Sequence, residues 1–318
     1  MARIVLIGGS GHIGTYLVPR LVGAGHHVFN VTRGQRAPYW PHPAWRQVET
    51  VVADREAEDR DGGFGARIAA LKPDVVVDLV CFTPESARAL VNALEGRISQ
   101  LIHIGTIWVH GPSSVVPTPE DAPRYPFGAY GEGKAAIETL LLERAHRTGL
   151  PVTILHPGHI VGRGWAPLNP AGHFNPQVFA AIARGEVLTL PNFGLESVHH
   201  VHADDVAQLV MRSLARWRAS TGEAFHAVSA GAVTLRGYAE AMFRHYGHEP
   251  RLAFLPWDAW AATQDLEEAR TTHDHIARSP SCSIAKAERL LGYAPRYTSL
   301  EAVVDSLGAL DLPGNPVI

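Results

Sequence analysis

The chain has 318 residues, of which 46% are hydrophobic, 28 are Lys or Arg and 31 are Asp or Glu, so its formal net charge is −3. That length supports one large buried core with room for a second lobe, and basic residues scattered through a near-neutral chain exclude a nucleic-acid or anionic-membrane surface. Two cysteines, Cys81 and Cys282, are too few and too far apart for a disulfide framework or a thiolate metal cage, so a reducing, cytoplasmic setting is expected.

The apolar run 2–7 stops at Gly8, too short for a signal peptide or a membrane span. It opens an alternation of short β-branched runs with longer amphipathic patterns, the signature of parallel strands joined by crossover helices. Strands are predicted at 3–7, 27–32, 48–53, 74–80, 101–106 and 151–156, and helices at 13–22, 85–94 and 134–147. Unbroken apolar runs such as Val75-Val76-Val77 mark strands covered on both faces. After residue 160, Gly and Pro interrupt every long pattern, as in a loop-rich second lobe. A strand at 199–202 and a helix at 204–214 return to the first lobe, followed by a strand at 224–228, a helix at 235–246 and a strand at 251–255. The polar stretch 264–281 reads as a linker, or as a helix with a loop beside the site.

The first strand ends in Gly8-Gly9-Ser10-Gly11-His12-Ile13-Gly14, directly before a helix. Glycines at 8, 11 and 14 suit a tight reversal, close approach of backbone to a pyrophosphate, and close helix–strand packing. The helix N-terminus then offers unpaired N–H groups and the positive end of its dipole. At the end of the second strand, where a carboxylate would hold the ribose 2′-hydroxyl of NAD, stand Thr32 and Arg33. A guanidinium there binds a 2′-phosphate, so NADP(H) is favoured over NAD(H), the alternative being a solvated Arg. Asp54, closing the third strand, is placed to accept from an adenine amino group or to cap a loop.

Further motifs follow: His103 to Gly111 with Thr106 inside it, Tyr130-Gly131-Glu132-Gly133-Lys134, Leu155-His156-Pro157-Gly158, the run 200–207 and the run 286–295. In this order and at these intervals the chain resembles, almost end to end, the extended short-chain dehydrogenase/reductase family, also called the NAD-dependent epimerase/dehydratase family. The resemblance implies a doubly wound parallel Rossmann sheet at 1–160, with 199–228 returning to it, and a smaller C-terminal substrate-binding lobe from 161–198 and 229–318. It implies Thr106, Tyr130 and Lys134 as the catalytic set. It also implies cofactor contacts at Val80, Lys134, Pro157 and Gly158, and a homodimer through the helices 85–94 and 130–147. Tyr130 and Lys134 lie one helical turn apart and share a face. A free phenol titrates near pH ~10, and an adjacent ammonium with the nicotinamide charge would favour its phenolate, making Tyr130 the general acid/base. Thr106 would hydrogen-bond the reacting carbonyl.

Departures from the family pattern narrow the reaction. Dehydratases carry Asp-Glu after the Thr, where this chain has Ile107 and Trp108, which transfer no proton. The family's strand-six Arg is His156, its Asn three residues on is His159, and the Arg that meets a nucleotide phosphate is Val198. The reading is an NADP(H)-dependent oxidoreductase acting on a carbonyl or secondary alcohol of a small molecule. The alternatives are a nucleotide-sugar epimerase with retained NAD, and a non-catalytic NADP(H)-binding sensor or scaffold.

Composition leaves 18 histidines to explain. Eight of them, His103, His110, His156, His159, His173, His199, His200 and His202, fall in the family's cofactor or substrate segments. His200 and His202 would point the same way on a strand, but a metal site needs a third held ligand and the resembled family uses none, so no metal is expected. His103 and His202 suit histidines bonded to backbone. His156, His159 and His173 with Trp108, Trp165 and Phe174 suit a pocket of donors and aromatic faces, with Asn169 a further polar contact. The substrate contacts expected are Trp108, His159, Asn169 and His173, with Trp257 and Trp260 either closing the pocket or packing in the core.

Overall fold

The computed structural model describes residues 1–310. The eight residues beyond, which end the expected second lobe, lie outside the described residues. Through the first half the alternation takes the form β1 (Arg3–Ile7), α1 (His12–Gly23), β2 (His27–Thr32), β3 (Glu49–Val52), α2 (Arg55–Arg60), α3 (Phe64–Ala70), β4 (Val75–Asp78), α4 (Pro84–Leu94), β5 (Gln100–Ile104), α5 (Gly128–Thr148) and β6 (Val152–Pro157). The second half gives β7 (His159–Val161), α6 (Gln177–Ala183), β8 (Leu188–Pro191), β9 (Ser197–Val198), β10 (His200–His202), α7 (Ala203–Ala215), α8 (Trp217–Ser220) and β11 (Glu223–Ala227). It ends in β12 (Val233–Thr234), α9 (Leu235–His245), β13 (Leu252–Leu255), α10 (Trp257–Ala261), α11 (Leu266–Ile276), α12 (Ala285–Leu291) and α13 (Ser299–Leu307).

Seven strands form one sheet in the order β11-β6-β5-β4-β1-β2-β3, every pair parallel. Helices cover both faces, which is why Ile4, Val5, Leu6, Val76 and Val77 are fully buried and why β1 and β4 read as unbroken apolar runs. One face packs Leu17 and Leu21 of α1 and Val206 and Val210 of α7. The other packs Ile68 of α3, Leu90 and Val91 of α4 and Ile137 and Leu141 of α5. The chain winds outward in both directions from β1 and β4, and that reversal opens a crevice at the carboxyl ends of the strands.

A separate core forms from Phe179, Leu190, Tyr238, Phe243 and Val303. Around it run the two-stranded pairs β7 with β10, β8 with β13 and β9 with β12. Of the two forms expected for the polar stretch 264–281 it takes the helical one: it contains α11, capped by Asp265. Trp260 packs in the core with its indole N–H donating to the Thr189 carbonyl at 3.0 Å, so of the two expected roles it has the structural one. Among the described residues no helix is long and apolar enough to cross a membrane.

Candidate active site

The turn after β1 is built around glycine. Gly8 has φ +87°, and a Cβ there would lie 2.7 Å from Val80 Cγ1, while a Cβ at Gly14 would run into the Gly9 carbonyl. No side chain caps α1, and its first turn carries no acid, so its leading amides face the crevice uncompensated. That cradle fits a diphosphate. The buried Ser10 hydroxyl bonds Thr32 Oγ1 at 3.1 Å, tying the end of β2 to the turn and leaving Arg33 exposed just beyond. His12 stacks on Trp165 at 3.8 Å and meets Tyr39 at 4.9 Å, and burial with the nearby Arg36 charge pushes its imidazole down to about 4. Ile13 packs into the core. Asp54 is the N-cap of α2, accepting from Ala57 N–H at 3.1 Å, which is the capping alternative of its two expected roles.

Thr106 sits where β5 leaves the sheet, with its hydroxyl accepting from Trp108 N–H at 3.3 Å. Tyr130 lies in the first turn of α5, a half-exposed residue whose phenol is near enough to the Thr106 hydroxyl to be influenced by it. Lys134, one turn on, is buried and donates to the Ile104 carbonyl at 2.8 Å. The three expected residues are thus together. The expected lowering of Tyr130 by Lys134 is not found in the protein alone. The Lys134 nitrogen is 6.0 Å from the Tyr130 ring centre, and burial raises the phenol while the Thr106 hydrogen bond opposes it. Lys134 is itself pushed down to about 8, chiefly by burial.

From Tyr130 a string of rings crosses the crevice: Trp108 at 5.7 Å, then His275, 5.1 Å from Trp108, then His159, 4.9 Å from His275. Both ring nitrogens of His159 are buried without a partner, and burial holds it well below its ordinary pKa. Phe174 meets His275 at 5.7 Å. A cavity of about 410 Å³ that none of these rings lines is formed in part by His173, Asn175 and Glu268. Gly158 lies at the end of β6, where a Cβ would strike the His199 carbonyl.

Several expected positions are corrected. His156 does not line the pocket: it is fully buried behind Thr106 and bonded to Glu138 at 3.0 Å. Trp165 lies on the glycine turn, away from Trp108, because it stacks on His12. Asn169 is buried with its amide spent within its own loop, donating to the Asn175 carbonyl and accepting from Ala171 N–H, so it shapes the loop that carries His173. The His103 Nε2 is buried without a partner, so that nitrogen is not bonded to backbone. His202 accepts from Asp204 N–H but spends its other nitrogen on Asp305 at 3.1 Å. Asp78, Cys81 and His103 bring three ligand-type atoms within 4.8 Å of one another. Arg55 already occupies Asp78 at 2.7 Å, and the Cys81 thiol is pushed up to about 12.

Sequence reasoning did not single out His275 and Arg278, which lie in the stretch 264–281 read as a linker or as a helix with a loop beside the site. The Arg278 guanidinium lies 3.7 Å from the ring centres of both Trp108 and Phe127 and donates to the Phe127 carbonyl at 2.6 Å. It also missed Glu138, for which a signal was present: four residues after Lys134, it continues the face of Tyr130 and Lys134.

The sequence model of the NAD dependent epimerase/dehydratase family matches residues 4–227. The chain is 28% identical over 267 residues to the 2'-dehydrokanamycin reductase of Streptomyces kanamyceticus, covering 84% of this chain and 72% of that protein. It is 25% identical over 315 residues to the chloroplast stem-loop binding protein of 41 kDa b of Arabidopsis thaliana, covering 96% and 78%. Among solved structures, the UDP-glucose 4-epimerase of Thermotoga maritima with UDP-glucose superposes with a TM-score of 0.73 at 20% identity, covering 96% of this chain and 98% of that one. The glycine turn, the parallel sheet and a family match over well more than half the chain lead to one conclusion: the chain belongs to the NAD-dependent epimerase/dehydratase family of NAD(P)-dependent enzymes.

Proposed function

We propose that the protein is an NADP(H)-dependent oxidoreductase that interconverts a carbonyl and a secondary alcohol on a small molecule. The observation that carries this reading is the convergence of Thr106, Tyr130 and Lys134 on the crevice beside the uncapped start of α1. When bound, the nicotinamide supplies or accepts the hydride. In the reducing direction the Thr106 hydroxyl hydrogen-bonds the carbonyl oxygen and Tyr130 gives that oxygen its proton, while buried Lys134 holds the cofactor ribose. The exposed Arg33 favours the 2′-phosphate of NADP(H).

Two features favour a reductase over a nucleotide-sugar epimerase. Val198 stands where the family pattern has the Arg that meets a nucleotide phosphate, and the Arg278 guanidinium is held between Trp108 and Phe127. The unpartnered nitrogens of His159 suit a substrate hydroxyl or carbonyl, in keeping with the reductase among the relatives. Domain roles are part of the same proposal: 1–160 with 199–228 bind the cofactor, and the remainder binds substrate. So are a homodimer through α4 and α5 and a cytoplasmic setting, the former checked by sedimentation.

The test is oxidation of NADPH and NADH, followed by absorbance, across a panel of keto-sugars and other small ketones. Turnover with NADPH in preference to NADH is expected. NAD that stays bound through gel filtration, together with epimerisation of a UDP-sugar, would overturn the reading in favour of an epimerase. Cofactor binding without turnover on any member would favour the sensor or scaffold.

A further inference from the structure

At Thr106 the chain leaves the sheet. Gly105 N–H still bonds the Leu155 carbonyl at 2.7 Å, but Thr106 N–H finds no backbone partner on β6. A side chain takes it instead: His156 Nδ1 accepts at 3.1 Å. His156 lies so close under the strand end that a Cβ at Gly105 would collide with its ring.

A neutral imidazole that accepts at Nδ1 carries its proton on Nε2. Here Nε2 faces Glu138 Oε1 at 3.0 Å. Glu138 also takes a two-pronged bond from Arg124, whose Nε and Nη2 reach its two oxygens at 3.0 and 2.8 Å. Burial works to raise its carboxyl, but the His156 ring and then Arg124 hold it well below its ordinary range. Arg124 also donates through Nη1 to His110 Nδ1 at 3.1 Å. His110 Nε2 then meets His226 Nε2 at 2.8 Å, and His226 Nδ1 meets the Ser283 carbonyl at 2.9 Å. Arg124 can only donate and the Ser283 carbonyl can only accept, so every proton between them has one place. Both rings stay neutral: burial and Arg124 push His110 down to about 3, and His226 is lowered well below its ordinary value.

We propose that His156, Glu138 and Arg124 are positioning residues that hold Thr106 at the end of β5 and so set its hydroxyl against Tyr130. Three residues of α5 at four-residue spacing face this strand end: Tyr130 beside Thr106, Lys134 bonded to the Ile104 carbonyl, and Glu138, through His156, tied to the Thr106 amide. Where the family pattern has an Arg in strand six, this chain supplies the guanidinium from Arg124 in the loop before α5 and uses the strand position for an acceptor that Arg lacks.

The inference rests on the reading of Thr106 and Tyr130 as reacting groups, and its test does not need turnover. His156→Asn keeps an acceptor near the Nδ1 position, whereas His156→Gln keeps the reach to Glu138 and loses that acceptor. Each is titrated by phenolate absorbance in the NADP⁺-loaded protein, taken as the difference from the same variant carrying Tyr130→Phe. H156Q and Glu138→Ala should move the Tyr130 midpoint upward, and H156N should leave it near wild type. With a ketone identified as substrate, H156Q should lower kcat by about 10²-fold with the KM for NADPH unchanged, as expected of a group displaced by a fraction of an ångström. An unmoved Tyr130 midpoint in an H156Q protein that unfolds at the wild-type temperature overturns the proposal. If H156Q does not fold, ¹⁵N-histidine spectra of the wild type decide: a His156 carrying its proton on Nδ1 at neutral pH overturns it, and the Nε2–H form supports it.

Discussion

Tyr130 and Arg33 carry the sharpest consequences at the scale of single residues. Tyr130→Phe removes the proton donor but not the ring that meets Trp108, so kcat should fall by about 10²–10⁴-fold while NADPH affinity holds. Fluorescence titration of NADPH beside steady-state rates checks both halves, and a large loss of affinity would mean that the ring serves binding instead. Arg33→Ala should weaken NADPH binding by about 10-fold, leave NADH unchanged, and shrink the difference at high salt, because Arg33 is exposed and its charge is screened. The pair Tyr130 and Lys134 was legible because four residues is one helical turn. The place of His156 was not: its partners come from β5, from α5 and, through Glu138, from the loop before α5, and no spacing along the chain reports that meeting.

Among the elements, α5 differs most from expectation. Its periodicity suggests a start at 134 and the resemblance one at 130, but the helix begins at Gly128 and takes in Gly131 and Gly133. A Cβ at Gly133 would lie 3.2 Å from the Phe82 carbonyl, and one at Gly131 would lie 3.4 Å from the Trp108 carbonyl. Close approach, not a bend, explains Gly133, and the helix places Tyr130 in a turn beside Thr106. At the other end of the chain, α13 opens with Thr298 and Glu301 capping each other's backbone, at 3.2 and 2.8 Å. Thr298→Ala should lower the unfolding free energy by about 1 kcal/mol, read from the urea midpoint at constant slope. An unchanged midpoint would show that the tertiary packing of α13 alone fixes that end.

For the whole molecule, the histidine excess becomes a statement about pH. Burial holds His12, His199 and His275 down at about 4, and His103, His110 and His200 at about 3. The unfolded chain protonates each near ~6.5, so below that pH it binds more protons than the native protein. Their contribution is complete above ~6.5 and is lost as pH falls toward 4 and then 3, each histidine acting with a slope of at most about 1.4 kcal/mol per pH unit. Urea unfolding near pH 7.5, about 6 and about 5 should show falling stability with uptake of several protons. A flat profile over that range would mean that these imidazoles are not held neutral.

The sequence by itself determined the parallel doubly wound sheet and the glycine cradle, because each rests on a local regularity: strand and helix periods and a tight turn. Its resemblance to the family pointed to Thr106, Tyr130 and Lys134. It also marked His156 and His159 as departures from the family's motif, where the pattern has Arg and Asn. Only the tertiary structure decided what the histidines do. It set His156 behind Thr106, paired His110 with His226, and left His159 unpartnered beside His275. A buried imidazole is defined by what meets its two nitrogens, and those partners arrive from elements far apart in the chain.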